Sequence, residues 1–403
     1  MKKTISVSLS AILAVLVFHL SIVKIYSGYM PQYFNIRKTI AVIIFLLLIR
    51  RGKIFLKEEY LSFNIILLMF CGAILYSAKQ GQQYMNGYMP NSIIFAISIA
   101  EFALCMEYFH YMGTTKKVIS IFTFLSFLYC VLADLMIVIS PQKTVTEWGA
   151  VSYQYLLGDK FDITYLHIIM ISLFCCYVKE WKWNKKHKII FVLLSVWTII
   201  IAFSVQCTTS ILGWGSFVIF YFLRGKLNGV FKENWFCVAY LALCNTILLI
   251  NSAILNIPVI KYVIENVFHE STTLTGRTRI YLEMYKLLKL NIWWGVGFHN
   301  NYEMSSAYTG AGDVQNGICD CLVSFGIVGT TLMVILLVIA MKKGGRKSSP
   351  AILALLFSFI TISSVEITLR LLFCASIALV AFSWETEDGN RGHNIIRKVG
   401  EIT

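Results

Sequence analysis

Two arginines at the start of a predicted helix are the residues of this chain best suited to anion chemistry. Arg277 and Arg279 lie in TLTGRTRIYLEMYKLLKL, where Thr275-Gly276 precedes a helix predicted from 277 to 290. The 3.6-residue period places Arg277 on the apolar face of that helix and Arg279 on the polar face. A guanidinium beside a helix N-terminus can bind phosphate through charge and paired hydrogen bonds. An arginine that reaches lipid headgroups would have the same spacing, so both interpretations of Arg277 stay open.

Polar residues that follow this helix are further candidates. The segment NIWWGVGFHNN has two closely spaced glycines and contains His299, which is either a base or an exposed loop histidine. Gln315 and Asn316 open the next apolar segment, and Asp320 lies one turn deeper. The sequence therefore groups amides and one carboxylate at the beginning of a predicted membrane span.

Ionisable residues at the ends of other spans are predicted to lie on the same side of the membrane. Arg37 begins the second span, Lys160 begins the sixth, and Glu366 and Arg370 mark the last turn on that side. Such residues are costly at membrane depth and are candidates for function. For Arg370 the alternative is a structural pair with Glu366, four residues earlier.

The elements that must position these residues are predicted from composition. The chain has 403 residues, of which 58% are hydrophobic and 14% charged, against about 25% charged in soluble domains. Apolar runs of roughly 17 to 25 residues recur along its length, so we predict an all-α polytopic membrane protein, residues 1–403 forming a single membrane domain. About twelve spans are predicted: 4–23, 33–49, 60–78, 91–111, 118–139, 162–178, 189–205, 209–223, 235–255, 317–341, 350–364 and 367–384.

The basic residues predict the orientation of these spans. With the N-terminus in the cytoplasm, 23 of the 35 lysines and arginines fall on the cytoplasmic side, as the positive-inside rule requires. Both termini are then cytoplasmic, and the partly helical loop 256–316 is extracytoplasmic. The net charge of +14 is spread over short clusters between apolar runs, so we expect no nucleic-acid partner.

No motif indicates a cofactor. The eleven cysteines lie mostly in apolar runs without the paired spacing of a zinc site, so neither a metal nor another cofactor is expected. Walker A and Rossmann glycine patterns are absent from the sequence. The sequence therefore gives no support to an activity that uses a nucleotide.

Three segments together resemble the O-antigen ligase and polymerase superfamily, most closely its capsular or surface polysaccharide polymerases. They are T-L-T-G-R-T-x-I-Y (273–281), N-x-x-x-G-V-G-F (291–298) and Q-N-G-x-x-D-x-L-x-x-x-G-I-x-G (315–329). L-G-D-K-F (157–161) and T-T-S (208–210) are also similar to patterns in the polymerases. Many ligases have His-Asn at the position of Gln315-Asn316, which favours the polymerase.

The resemblance implies a membrane glycosyltransferase of the bacterial cytoplasmic membrane that uses no nucleotide sugar. It would transfer a growing glycan from undecaprenyl pyrophosphate onto a lipid-linked repeat unit at the outer face, with a flippase and a chain-length regulator as further partners. Binding of the pyrophosphate carries over to Arg277, and less directly to Arg279 and Arg370. Arg37, Lys160, Gln315 and Asn316 are expected to bind substrate.

The chemistry of that reaction needs two kinds of group. Fixed cations would stabilise the departing pyrophosphate, and a base could take the proton of the acceptor hydroxyl. His299, Asp313, Asp320 and Glu366 are the candidates for the base, and the sequence does not choose between them. Two other functions stay open: a ligase that moves finished glycan to another acceptor, and a non-enzymatic flippase or exporter of lipid-linked sugars.

Overall fold

The structure, a computed structural model, is helical over nearly all of its described length. It describes residues 2–84, 89–139, 142–145, 151–178, 183–247, 258, 262 and 277–384. The helices defined in those ranges are α1 (Lys2–Ser21), α2 (Tyr33–Ile49), α3 (Gly52–Phe55), α4 (Glu58–Gly81), α5 (Met89–Tyr111), α6 (Thr115–Ile139), α7 (Lys160–Val178), α8 (Lys185–Ser204), α9 (Thr208–Phe231), α10 (Asn234–Ile247), α11 (Arg277–Leu290), α12 (Asn301–Thr309), α13 (Gly317–Gly344), α14 (Pro350–Ile362) and α15 (Leu371–Phe382).

Six of these helices are long and apolar enough to cross a membrane. They are α4, α5, α6, α7, α8 and α13, and they are consistent with a multi-pass membrane protein. Shorter apolar helices occupy 9–21, 208–223, 350–362 and 371–382. The predicted total of about twelve spans therefore stays a prediction, while the helical, membrane-type fold is confirmed.

A short hairpin departs from the all-α expectation. Strands β1 (Gln142–Val145) and β2 (Val151–Gln154) pair antiparallel, with Gln142 opposite Gln154 and Val145 opposite Val151. Residues 142–145 and 151–154 follow the end of α6 and precede α7, so the hairpin belongs to a connection between two apolar helices. The first three residues of β1 are all polar, so this strand lacks the alternating pattern from which a strand is usually predicted.

Helix α5 is the most enclosed of the long helices. It packs against α1, α2, α4 and α15, and α13 also packs against α4 and α15. A second group of helices packs α14 against α9 and α7. The turn between α14 and α15 and the first residues of α7 and α13 are thereby brought towards one end of the bundle.

Helix α13 is broken at Gly326, where φ is 64° and ψ is −169°. In an unbroken helix Ile327 and Val328 would donate to the carbonyls of Val323 and Ser324. Here Ile327 donates to the carbonyl of Ile292 (2.9 Å) and Val328 to that of Trp293 (3.1 Å).

The two carbonyls released by the break are also satisfied. Val323 accepts from the N–H of Val296 (2.7 Å), and Ser324 accepts from the hydroxyl of Ser77 (2.6 Å). All four backbone groups thus have partners, as membrane depth demands. The turn 291–296 is inserted into α13 and holds the first two turns of that helix in place.

A small second core lies beside this break. Helices α11 and α12 pack on each other and on the start of α13. Buried apolar side chains fill the space between them: Ile280, Leu287, Val296, Met304, Val314, Cys319 and Val323. This core connects the segment after Arg277 with the segment that carries Asp320.

Candidate functional site

An ion pair between two distant segments is the centre of the candidate site. Arg370 donates from Nε to Oδ2 of Asp320 and from Nη2 to Oδ1, both at 3.0 Å. Asp320 lies in the first turn of α13, and Arg370 is the non-helical residue that precedes α15, with φ −112° and ψ −144°. The pairing is therefore bidentate, the geometry in which a guanidinium is held most rigidly by a carboxylate.

The two partners of this pair differ in their exposure. The side chain of Asp320 is 3% exposed and that of Arg370 is 30% exposed. Asp320 also accepts a hydrogen bond from Nδ2 of Asn301 (2.9 Å), so three donors occupy its carboxylate. A carboxylate with three fixed donors is a good anchor for a cation. The geometry supports a positioning role for Asp320, and the role of general base stays a prediction.

One edge of the Arg370 guanidinium stays available. Its Nη1 makes no hydrogen bond to any residue that the structure describes. The guanidinium carbon lies 5.4 Å from the centre of the Phe298 ring, which shields one face of the group. A partly exposed guanidinium with a fixed orientation and a free edge is suited to binding an oxyanion.

A second ion pair lies near Arg370. Lys24 contacts Asp162 at 3.2 Å, and Asp159 accepts hydrogen bonds from the N–H groups of Phe161 and Asp162 at the start of α7. The Asp162 carboxylate raises the pKa of Lys24, and the charge of Arg370 acts on Lys24 in the opposite direction. Lys24, which no sequence pattern marks as a candidate, thus lies within electrostatic reach of Arg370.

Arg37, in α2, lies within electrostatic reach of Asp162. Its Nη2 donates to the carbonyl of Leu20 (2.8 Å) and to the hydroxyl of Ser98 (3.4 Å). Its Nε is buried without a partner among the described residues, and its charge interacts with that of Asp162. Arg37 thus lies near Asp162, and its substrate-binding role stays a prediction.

Lys160, also at the start of α7, contacts the beginning of α9. Its Nζ donates to the carbonyl of Gln206 (3.1 Å) and lies 5.4 Å from the centre of the Phe161 ring. Gln206 has a left-handed backbone, with φ 53°. Lys160 therefore connects two helix starts, and its substrate-binding role stays a prediction.

Gln315 and Asn316 form the entry to α13. Gln315 has φ 47°, its N–H donates to Oδ1 of Asp313 (2.9 Å), and its carbonyl accepts from the hydroxyl of Tyr281 (3.2 Å). Asn316 is fully buried and caps the helix by accepting from the N–H of Cys319 (3.1 Å).

The amide of Asn316 also joins other elements. Its Nδ2 donates to the carbonyls of Asn245 (3.1 Å) and Ser364 (3.3 Å). In α10, Asn245 accepts at Oδ1 from the N–H of Ile318 (3.1 Å) and donates from Nδ2 to the hydroxyl of Ser363 (2.9 Å). These contacts are those of a structural cap that fixes the depth of Asp320.

His299 lies against α5. Its Nδ1 is 3.1 Å from the hydroxyl of Ser92 in α5, and burial lowers its pKa. Among the described contacts, none joins His299 to Asp320, Arg370 or Glu366. A neutral histidine is suited to accept a proton, but the structure does not place His299 with the other candidates.

Glu366 is buried, and its carboxylate accepts from the N–H of Ile367 (3.2 Å). The alternative of a structural pair between Arg370 and Glu366 is not what the structure shows, because Arg370 pairs with Asp320. Residues 363–370 leave the helical conformation after α14, so the four-residue spacing does not bring the two side chains onto one helix face.

The predicted helix that begins at Arg277 is confirmed as α11. Its buried residues are Ile280 and Leu287, with Met284 partly buried between them. The side chains of Arg277 and Arg279 lie outside the described residues, as do residues 256–276 of the predicted loop 256–316 apart from 258 and 262. Their roles stay predictions from the sequence.

No protein-family model, curated protein or solved structure matches the chain. In the described part of the chain, no group of three His, Cys, Asp or Glu side chains is arranged to hold a metal ion.

Proposed function

We propose that this protein is a membrane glycosyltransferase that polymerises lipid-linked oligosaccharides without a nucleotide sugar. A hydroxyl of one lipid-linked repeat unit would attack the anomeric carbon of the growing glycan on a second lipid. The bond from that carbon to the pyrophosphate breaks, the lipid pyrophosphate leaves as an anion, and the hydroxyl proton passes to a base. In the orientation that the charges predict, the reaction occurs at the outer face of the cytoplasmic membrane.

The Arg370–Asp320 pair is the observation that carries this proposal. The bidentate pair holds a guanidinium in a fixed orientation while one of its edges stays open. A preorganised cation stabilises negative charge on a leaving group without reorganising during the reaction. The neighbouring Lys24 is paired with Asp162, and Arg277 is predicted from its sequence position to add positive charge.

The experiment uses the purified full chain in nanodiscs. Its substrate is the lipid-linked oligosaccharide that accumulates in the source cells when this protein is deleted. We expect a ladder of glycan lengths without ATP or any nucleotide sugar. Transfer of a single finished glycan to a different acceptor would indicate the ligase instead, and an absolute need for a nucleotide would reject the proposal.

A matched control is available at the far end of α13. Arg346 also makes a two-nitrogen contact with a carboxylate, that of Glu233, but its side chain is 75% exposed. We expect Arg370→Ala to lower the polymerisation rate by about 10²- to 10³-fold. Arg346→Ala should leave the rate within about twofold of the parent, because exposed pairs contribute little.

One observation favours transport of lipid-linked sugars as a second candidate function. Helix α13 is broken within its apolar length, and Asp134 of α6 contacts His167 (3.2 Å) and Trp197 (2.6 Å) inside the bundle. Transporters use broken helices and ionisable residues at membrane depth. A fluorescent lipid-linked oligosaccharide in proteoliposomes distinguishes the two functions, because a transporter moves it between leaflets without lengthening it.

A further inference from the structure

An apolar groove lies between α6, α7 and α8, at the end of these helices away from Arg370. It has a volume of about 300 Å³, and its walls include Ser120, Phe127, Phe174 and Leu194. Tyr177, which also lines it, is 15 residues after Asp162 and thus about 22 Å further along α7. The groove is therefore separate from the candidate site.

The groove opens towards the surrounding lipid. Its rim residues Phe124, Phe127 and Tyr177 are 64%, 46% and 46% exposed, and Ile190 on the opposite rim is also exposed. No described helix covers them. In a membrane, a groove of this kind is filled by hydrocarbon chains, and its volume is at the small end of ligand pockets.

Three lysines stand at one end of the groove. Lys116 and Lys117 precede Ser120 by four and three residues in α6, and Lys186 precedes Ile190 by four in α8. The i, i+3 and i, i+4 spacings place all three on the groove side of their helices. They are exposed and form no ion pair with a described residue. A positive end on an apolar groove complements a molecule with an anionic head and a hydrocarbon tail.

We propose that this groove binds an anionic diacyl phospholipid, with one acyl chain between α6 and α8 and the phosphate beside Lys116, Lys117 and Lys186. Hydrocarbon already surrounds the protein, so the acyl chain gains little from leaving bulk lipid. Selectivity therefore comes from the headgroup, where each lysine near a phosphate strengthens binding by about fivefold. This inference does not depend on the proposed function.

Native mass spectrometry of the full chain in detergent provides the test. Phosphatidylglycerol and phosphatidylcholine with identical acyl chains are titrated separately. We expect phosphatidylglycerol to be retained about tenfold or more tightly by the parent. In Lys116→Gln/Lys117→Gln/Lys186→Gln, that preference should fall by about tenfold or more.

Two comparisons decide the location of the site. The control Lys53→Gln/Lys232→Gln/Lys342→Gln removes the same charge from other helix ends and should keep the preference. Filling the groove with Ser120→Trp, or with Ile190→Trp if the first variant does not fold, should reduce retention of phosphatidylglycerol although the lysines remain.

Equal loss of the preference in both lysine variants, or undiminished binding of phosphatidylglycerol to a well-folded protein with a filled groove, would overturn the proposal. Preferential retention of a polyprenyl phosphate over phosphatidylglycerol would overturn the assignment of the occupant.

Discussion

The guanidinium of Arg370 and the carboxylate of Asp320 form two hydrogen bonds of 3.0 Å across 50 residues of sequence. The pair joins the turn before α15 to the first turn of α13, and Asn301 of α12 binds the same carboxylate. Three segments thus depend on one buried charge. Stability and activity should respond differently when this pair is changed.

We expect Arg370→Ala to destabilise the protein by about 3–5 kcal/mol, because it leaves the Asp320 carboxylate buried without its counter-charge. Thermal unfolding in detergent measures the loss. The double variant Arg370→Met/Asp320→Leu removes both charges and should recover most of the stability while staying inactive. A double variant that polymerises like the parent would show that the guanidinium takes no part in the chemistry.

The break in α13 gives the second prediction. Gly326 has φ 64° and ψ −169°, and a Cβ there would lie 2.3 Å from the carbonyl carbon of Trp293. This backbone region is essentially restricted to glycine, and the neighbouring atoms are main chain. We expect Gly326→Ala to cost more than about 3 kcal/mol.

Gly72 provides the control for this substitution. It lies within α4, and an added Cβ would meet no atom within 4 Å. Gly72→Ala should stabilise the protein by up to about 1 kcal/mol, because alanine favours a helix. If both variants unfold at the temperature of the parent, the inserted turn 291–296 does not hold α13 in the way described.

The third prediction concerns pH. Burial lowers the pKa of His299 from its usual 6.5, so the unfolded chain binds this proton more readily than the folded protein. The contribution of His299 to stability is therefore fully present above pH 6.5 and is lost as the pH falls from 6.5 through the folded pKa. His299→Gln removes this dependence.

Melting temperatures between pH 5 and 8 test this. The difference between the parent and His299→Gln should be constant above about pH 7.5 and should shift against the parent below pH 6.5. A difference that does not change with pH would mean that His299 titrates alike in the folded and unfolded chain. The comparison with the variant cancels the contributions of the other six histidines.

The helices of this fold could be predicted because the residues within each segment carry the signal for a helix. Apolar length marks α4 to α8, and the Thr-Gly before Arg277 marks the start of α11. The break at Gly326 could not be predicted, because SFGIVG within an apolar run is compatible with a continuous helix. What breaks it is the turn 291–296, whose N–H and C=O groups replace the helical partners from another segment.

The candidate site was predictable only in part for the same reason. The charge distribution predicts that Arg37, Lys160 and Arg370 belong to one side, and the structure gathers them towards one end of the bundle. The partner of Arg370 follows from tertiary packing, so spacing alone suggested Glu366, and Asp320 was selected for a different role. Lys24 and Asn301 carried no signal beyond their proximity to span ends.

The last prediction concerns the two arginines of the loop helix. Arg277 begins α11, where the helix N-terminus itself attracts anions, and its position on the apolar side follows from helix periodicity. The same periodicity predicts that Arg279 shares a face with Glu283 and Lys286, two residues that form an ion pair with each other. Arg277→Ala should therefore lower polymerisation by about 10²- to 10³-fold, while Arg279→Ala should lower it less.

Arg277→Lys should recover part of the rate, because an ammonium keeps the charge but loses the bidentate geometry. The measurement is a quantified glycan ladder at matched expression, and an inactive Arg279→Ala beside a fully active Arg277→Ala would show that the polar face of α11 binds the substrate.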